Sequence, residues 1–246
     1  MAGIEHHTVV TYYQCLKCTS QVTESIIFIS PDTKHDHNAV HDFMDLVVLH
    51  LRQKRGIDIG MMVRFSDGCA SQYKSRGPIA DIAKSQENYQ FPLSHNYFGS
   101  RHGKGPADGE AAVIKSHATN AVKSGTAVIR DARALYEHCT KNLEKEPTEN
   151  NCLHFRTSFY FVEEVIRDRA ESQIKTIPGT RAMHSILSLK NQDQVKKRDL
   201  SCFCSACKDG TLQGCENAEF VEDWQTIGLK KLMTSLLSPI LMNQQQ

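Results

Sequence analysis

The sequence predicts an α/β fold in which helices flank a mixed sheet, with a small cysteine-rich, β-containing module at the C-terminal end. Strand-like and helical patterns alternate through residues 1–150, and cysteines crowd into residues 202–215. The chain has 246 residues, of which 40% are hydrophobic, enough to bury one medium core and a smaller appendage. We therefore divide it into a core, residues 1–150, and a C-terminal module with a terminal helix, residues 151–246.

Charge and cysteine usage narrow the class of protein. Lys and Arg total 29 against 28 Asp and Glu, so no overall positive field attracts a polyanion, and any contact with DNA depends on local basic clusters. The N-terminus lacks the basic and apolar regions of a secretory signal, and no apolar run is long enough to cross a bilayer. The nine cysteines are grouped, unlike a secreted disulfide framework. We expect an intracellular protein with reduced thiols and no membrane partner.

The N-terminal part predicts a β-hairpin followed by a helix. The runs HTVVTYY and ESIIFIS, residues 7–13 and 24–30, are rich in β-branched and aromatic residues and flank a polar turn. Asp36 or Asn38 can cap the helix, in which apolar residues recur at helical spacing until Gly56 ends it.

A strand is expected after this helix, and it ends beside an aspartate. From Ile57 to Phe65, apolar side chains alternate with other residues at the period of a β-strand. The pattern stops at Ser66, which places Asp67 at the C-terminal tip of the strand.

Four further elements complete the predicted core, with the glycine-rich segment GSRHGKGPADG between the second and third of them. In order, they are a helix over residues 78–85, a strand over 93–98, a helix over 108–123 and a helix over 130–145. The polar segment EKEPTENN that follows is predicted to be a linker.

The C-terminal module is predicted to be rich in β-structure. Its elements are a strand over residues 154–162, a hairpin of MHSILSL and QVKKRDLSC, and a last helix over 223–237 that packs through Trp224.

The cysteines of the module have a spacing that suits a metal. They form the pattern C-x-C-x2-C-x7-C, which offers four thiolates to a tetrahedral zinc ion, and they are Cys202, Cys204, Cys207 and Cys215. Cys15 and Cys18 add a CxxC pair that can join this group or act alone, with His154 and His184 as further candidate ligands. The alternative is that the cysteines are unligated thiols of the core.

Several segments together resemble a known group of proteins. FSDGCASQYKSR, HNYFGSRHGKGPADG, TIPGTRAMH and DLSCFCSACKDG with GCENAEFV occur in this order over nearly the whole chain. They resemble motifs of transposon-derived proteins of animal genomes, whose cores are of the DDE type. The resemblance implies a partial RNase H-like sheet, an ancestral enzyme that cleaves and joins DNA strands with Mg2+ or Mn2+, and a location in the nucleus.

The resemblance also implies a site for two-metal phosphoryl transfer, which needs carboxylates that converge from separate elements. Asp67 matches the aspartate that follows the fourth strand of such cores, and Asp108 or Glu110 is the candidate for the last acidic ligand. The alternative gives these residues ordinary local roles, in which Asp67 opens a turn and Asp108 caps a helix.

Basic residues lie between Asp67 and Asp108 in the sequence. With the resemblance, they can form a rim that holds a DNA backbone, and they are Lys74, Arg76, Arg101, His102 and Lys104. The alternative is that they are solvated loop charges beside glycines that adopt positive φ.

The sequence departs from the implied fold at its start. The first strand of an RNase H-like sheet lies in its middle and carries the first catalytic aspartate, but nothing before His7 matches it. We therefore expect unpaired strand edges and an incomplete active site, unless another segment, a partner chain or a second copy fills the position. Three hypotheses remain: a transposase-derived protein that is inactive in this form, a non-enzymatic DNA- or protein-binding remnant with a zinc module, and an unstable product without function.

Overall fold

A computed structural model of the protein describes residues 3–99, 105–149, 151–169 and 174–230. It confirms the predicted fold class, because these residues form a mixed α/β structure with two mixed sheets, flanking helices and a cysteine cluster near the C-terminal end. In the described part, none of the helices combines the length and the apolar character needed to span a membrane.

The first sheet contains the predicted N-terminal hairpin. Its strands are β1 (Glu5–Gln14), β2 (Gln21–Ser30) and β5 (Phe155–Phe161), in the order β1-β2-β5. β1 and β2 are antiparallel, whereas β5 runs parallel to β2 with Thr23 opposite Phe155. A strand from the C-terminal part of the chain thus completes the sheet of the N-terminal hairpin.

The second sheet has the order β3-β4-β6-β7-β8. Its strands are β3 (Met62–Ser66), β4 (Leu93–Tyr97), β6 (Ser185–Ser188), β7 (Gln194–Arg198) and β8 (Gln225–Gly228). β3 and β4 are parallel, and the remaining neighbours are antiparallel. Strands from both sides of residue 150 share both sheets, and a domain boundary at that residue stays a prediction.

The helices lie between and beside these strands. They are α1 (His37–Leu49), α2 (Arg76–Ala83), α3 (Ser85–Tyr89), α4 (Pro106–Lys123), α5 (Ala132–Leu143) and α6 (Ser205–Lys208). A π-helical turn, His50–Lys54, extends α1.

α1 forms where the sequence predicts it. The Asp36 carboxylate accepts a hydrogen bond from the Ala39 N–H at 3.0 Å, which caps the helix. On its buried face, Phe43 stacks on Phe28 of β2 with 4.9 Å between the ring centroids. Full burial of such a side chain contributes about 1.5–3 kcal/mol, so this contact fixes α1 against the first sheet.

A network of charged and polar side chains is buried beside α1. Glu24 of β2 is fully buried and accepts hydrogen bonds from Arg55 Nη2 at 2.6 Å and from His50 Nε2 at 2.8 Å. Tyr13 also donates to this carboxylate, and Arg55 pairs with Glu146 at 2.7 Å. Although burial raises the pKa of Glu24, the hydrogen bonds from His50 and Arg55 outweigh it and hold that pKa well below its ordinary value.

Two predicted elements are corrected by the structure. The strand expected over residues 57–65 begins at Met62, because the Ile57 N–H bonds the Leu51 carbonyl at 2.9 Å and Ile59 packs into the core from a loop. The prediction of the last helix is wrong at Gln225–Gly228, because these residues form β8 and pair with β7. Residues 231–237 of that predicted helix lie outside the described residues.

Each sheet ends in two outer strands, and those of the described residues are β1 and β5 in the first sheet and β3 and β8 in the second. Val9 of β1 and Met62 of β3 pack against the same hydrophobic cluster around α1. The outer strands β1 and β3 therefore border one common core.

Candidate metal centres and carboxylate site

The four C-terminal cysteines come together in space. The sulfur atoms of Cys202 and Cys215 are 3.8 Å apart, those of Cys207 and Cys215 are 3.4 Å apart, and all four lie within 4.8 Å of one another. Cys202 and Cys204 follow β7, and α6 carries Cys207. The cysteine group, as we call these four residues, can therefore hold a metal ion, and its members are the four cysteines whose spacing suggests a site in the sequence.

Hydrogen bonds lower the pKa of Cys202 in the cysteine group, whereas burial raises the pKa of Cys207 and of Cys215. The Asn217 N–H donates to Cys215 Sγ and its side-chain amide donates to Cys202 Sγ, both at 3.4 Å. The N–H of Cys204 and the Asn217 amide lower the pKa of Cys202 to about 6, whereas burial raises the pKa of Cys207 to about 12. Arg198 donates to Cys207 Sγ at 3.2 Å and supplies positive charge beside this buried sulfur.

A second group of potential ligands lies at the turn between β1 and β2. It consists of Cys15, Cys18, Cys152 and His154, whose ligand atoms are also within 4.8 Å of one another. The sequence predicts the first two from their CxxC spacing and offers His154 as a further candidate ligand. Cys152 was missed, because nothing in its local sequence connects it to a turn so far away along the chain.

Asp67 lies where the sequence places it, directly after β3. Its carboxylate accepts a hydrogen bond from the Cys69 N–H at 3.0 Å, which closes a turn. β3 and β4 are parallel, so their C-terminal ends share one edge of the second sheet, the position where α/β proteins commonly bind ligands.

The residue before Asp67 is anchored by a buried histidine. Arg64 Nε donates to His95 Nδ1 at 2.9 Å, and His95 Nε2 donates to Ser66 Oγ at 2.8 Å. Ser66 Oγ in turn donates to the Asp67 carbonyl at 2.7 Å. Burial holds the pKa of His95 well below its ordinary value, so the ring is neutral and keeps this donor and acceptor arrangement.

Asp108 and Glu110 lie in the first turns of α4. The Asp108 carboxylate accepts a hydrogen bond from the Gly105 N–H at 3.0 Å and so caps the helix. Glu110 is half-buried two residues further on. In the described part of the chain, these two carboxylates and that of Asp67 do not form a group of ligand atoms within 4.8 Å. Asp67 and Asp108 thus both carry the local roles that the alternative interpretation gives them.

The predicted basic rim is only partly described. The Lys74 ammonium lies over the Tyr97 ring, 4.5 Å from its centroid, and Arg76 is exposed at the start of α2. Arg101, His102 and Lys104 lie outside the described residues. Lys74 and Arg76, the two described members, follow the Asp67 turn in the sequence.

An exposed aromatic cluster lies beside Asp67 and was not predicted. Phe65 stacks on Phe98 at 5.7 Å and contacts Phe203 at 5.1 Å between centroids. These side chains are 46%, 36% and 39% exposed, respectively, and contiguous exposed apolar side chains are typical of interaction surfaces. The cluster joins the ends of β3 and β4 to the cysteine group.

The sequence profile of a domain of unknown function, DUF8701, matches residues 3–201, which is more than half of the chain. The chain belongs to the DUF8701 family. The DUF8701 match includes Cys15, Cys18, Cys152 and His154, and it ends one residue before Cys202. Neither a curated protein nor a solved structure matches the chain.

Proposed function

We propose that this DUF8701 chain is an RNase H-like domain derived from a DDE-type transposase and that, by itself, it does not cleave DNA. Its ancestral reaction is DNA strand cleavage and transfer with Mg2+ or Mn2+, in the nucleus. The observation that supports the proposal is that β1 and β3 are both outer strands among the described residues. One added strand between them would give the order β2-β1-strand-β3-β4, which is the order of an RNase H-like sheet.

The element order supports the same proposal. An antiparallel hairpin is followed by α1, by β3, by α2 and α3, by β4 parallel to β3, and by α4. Asp67 follows the first of the two parallel strands, and Asp108 opens the helix after the second. These are the positions that the resemblance assigns to metal-binding carboxylates.

Loss of cleavage follows from the chemistry of such sites. Two divalent cations activate the attacking water and stabilise the leaving oxygen, and several carboxylates must hold them. The strand between β1 and β3 would supply the central carboxylate, and the described residues place no strand there. The remaining candidates, Asp67, Asp108 and Glu110, are therefore left with a weaker, incomplete metal site.

Zinc is the ion we propose for the cysteine group. A tetrahedral site with zinc to sulfur distances of about 2.3 Å has sulfur atoms about 3.8 Å apart. The separations of 3.8 Å and 3.4 Å in the cysteine group fit such a site after small adjustments. Four thiolates leave no open position for a reacting water, so this zinc has a structural role.

A second candidate function is non-enzymatic binding of DNA or of a protein partner. The exposed cluster of Phe65, Phe98 and Phe203 favours it, because aromatic rings stack on the bases of single strands. The Lys74 ammonium lies over the ring of Tyr97, the residue before Phe98, and provides positive charge that suits a phosphate backbone. This function requires neither the missing strand nor a two-metal site.

Calorimetric titration with Mn2+ tests the proposal on zinc-loaded protein, in which the cysteine ligands are already occupied. We expect weak, saturable binding that is lost in Asp67→Asn and in Asp108→Asn. Asparagine retains the side-chain oxygen that accepts the hydrogen bonds from Cys69 and Gly105, so these variants remove charge and spare local structure.

Asp131→Asn provides the matched control. Asp131 caps α5 through a hydrogen bond from the Ala134 N–H at 2.8 Å and lies outside the proposed site. Unchanged Mn2+ binding in Asp67→Asn, or equal weakening in Asp131→Asn, would show that the carboxylate assignment is wrong.

A further inference from the structure

The turn between β1 and β2 meets the segment that precedes β5. Cys15 follows the last residue of β1, and Cys152 and His154 lie just before Phe155, the first residue of β5. The parallel pairing of β2 with β5 brings these segments together, and the Thr23 N–H donates to the His154 carbonyl at 2.8 Å. The backbone therefore fixes the distance between the two ligand pairs.

The side chains converge within the range of one metal ion. Cys15 Sγ lies 3.6 Å from Cys152 Sγ, and Cys18 Sγ lies 3.0 Å from His154 Nε2. The first separation is too long for a disulfide bond of about 2.05 Å. It is close to the separation of about 3.8 Å between two sulfur ligands of zinc.

Backbone hydrogen bonds close the turn between β1 and β2, which carries Cys15 and Cys18. The Cys15 N–H donates to the Ser20 carbonyl at 2.8 Å, and the Thr19 N–H donates to the Cys15 carbonyl at 2.9 Å. Thr19 adopts a φ of 59°, in the left-handed region, which closes the turn. The sulfur atoms of Cys15 and Cys18 then lie within 4.8 Å of each other. The Lys17 ammonium then donates to the Glu149 carbonyl at 2.8 Å and ties the turn to the second segment.

We propose that Cys15, Cys18, Cys152 and His154 form a structural zinc site that clamps the β1–β2 turn to the N-terminal end of β5. Three thiolates and one imidazole are a ligand set that favours tetrahedral zinc. The four protein ligands complete the coordination, so the ion stabilises the fold and does not activate water. This site is separate from the cysteine group and holds whether or not the chain descends from a transposase.

Zinc content of the full chain tests the proposal. We expect His154→Ala to lose about one equivalent of zinc per chain, as measured by mass spectrometry of the metal. Cys69→Ser is the matched control, because Cys69 is an exposed free thiol outside both ligand groups, and it is expected to lose none. Equal zinc contents in His154→Ala and the unaltered chain would overturn the proposal.

Cobalt substitution gives a second readout that does not depend on the folding of His154→Ala. His154→Cys exchanges the imidazole for a thiolate and should keep the metal, so thiolate-to-cobalt absorption should rise by about one ligand's contribution. Unchanged absorption in folded His154→Cys would contradict the assignment. A disulfide between Cys15 and Cys152 in protein purified under reducing conditions would also overturn it.

Discussion

Cys18 Sγ and His154 Nε2 lie 3.0 Å apart although 136 positions separate them in the sequence. The contact depends on the parallel pairing of β2 with β5, which joins the N-terminal hairpin to a strand from the C-terminal part of the chain. A metal ion bound here would therefore stabilise the pairing of β2 with β5 at the point where that pairing begins.

The clamp should contribute to stability. Cys152→Ser removes one of its sulfur ligands, and we expect the free energy of unfolding to fall by more than about 2 kcal/mol, because metal binding to the folded state stabilises it. Cys69→Ser should change it by less than about 0.5 kcal/mol, as expected for an exposed residue without such a role. Chemical unfolding with and without a chelator provides the measurement. A chelator effect of equal size in both variants would contradict the clamp.

The buried pair of Arg55 and Glu24 should matter more than surface ion pairs. Arg55→Met leaves the Glu24 carboxylate buried without its main cation, and we expect a loss of about 3–5 kcal/mol. Lys34→Met removes an exposed partner of Asp36, and we expect a loss of less than about 1 kcal/mol. Urea unfolding of both variants makes the comparison. Equal losses would mean that the buried network contributes no more than a surface contact.

The same network predicts how stability depends on pH. Because the pKa of Glu24 is lower in the folded than in the unfolded state, its stabilising contribution is full above the unfolded pKa, about 4.3. It is lost as the pH falls from there through the folded pKa. Glu24→Gln should flatten the stability curve in this acidic range and leave its slope above about pH 6 unchanged. An unaltered acidic slope in Glu24→Gln would place the pH dependence elsewhere.

The aromatic cluster should contribute to binding of single-stranded DNA. Stacking on a base is worth about 1–3 kcal/mol, so Phe203→Ala should weaken binding by about 5-fold to 150-fold. Phe220→Ala changes a side chain that is 74% exposed and outside the cluster, and it should have no effect. Fluorescence anisotropy at several salt concentrations measures both. If both variants bind as tightly as the unaltered chain, the cluster is not a DNA-binding surface.

Local patterns in the sequence were sufficient for the elements with strong periodicity. The apolar spacing predicts α1 with a cap at Asp36 or Asn38, and the structure has the helix with Asp36 as its cap. Ile57 and Ile59 misled the prediction of β3, because residues buried from a loop can alternate like those of a strand. The sequence predicts a helix where β8 lies. The segment is a strand because it pairs with β7, and local periodicity does not reveal that pairing.

The candidate sites show the same division. The cysteine group has short spacing and could be identified from the sequence, whereas Cys152 depends on the pairing of distant strands. The exposed contact of Phe65 with Phe203 joins residues that share no sequence pattern. Neighbours that are created by sheet order cannot be obtained from local periodicity alone.

The central proposal is that a strand is missing between β1 and β3, which are outer strands among the described residues. Hydrogen exchange of individual amides, measured by NMR, tests it most directly. Amides of β2, bonded on both sides, should be strongly protected, and β1 amides that point away from β2 should exchange nearly as fast as solvated amides. The outward amides of β3 should behave like those of β1. Protection of these outer amides equal to that of β2, in a chain shown to be monomeric, would mean that the position is filled and would contradict the account.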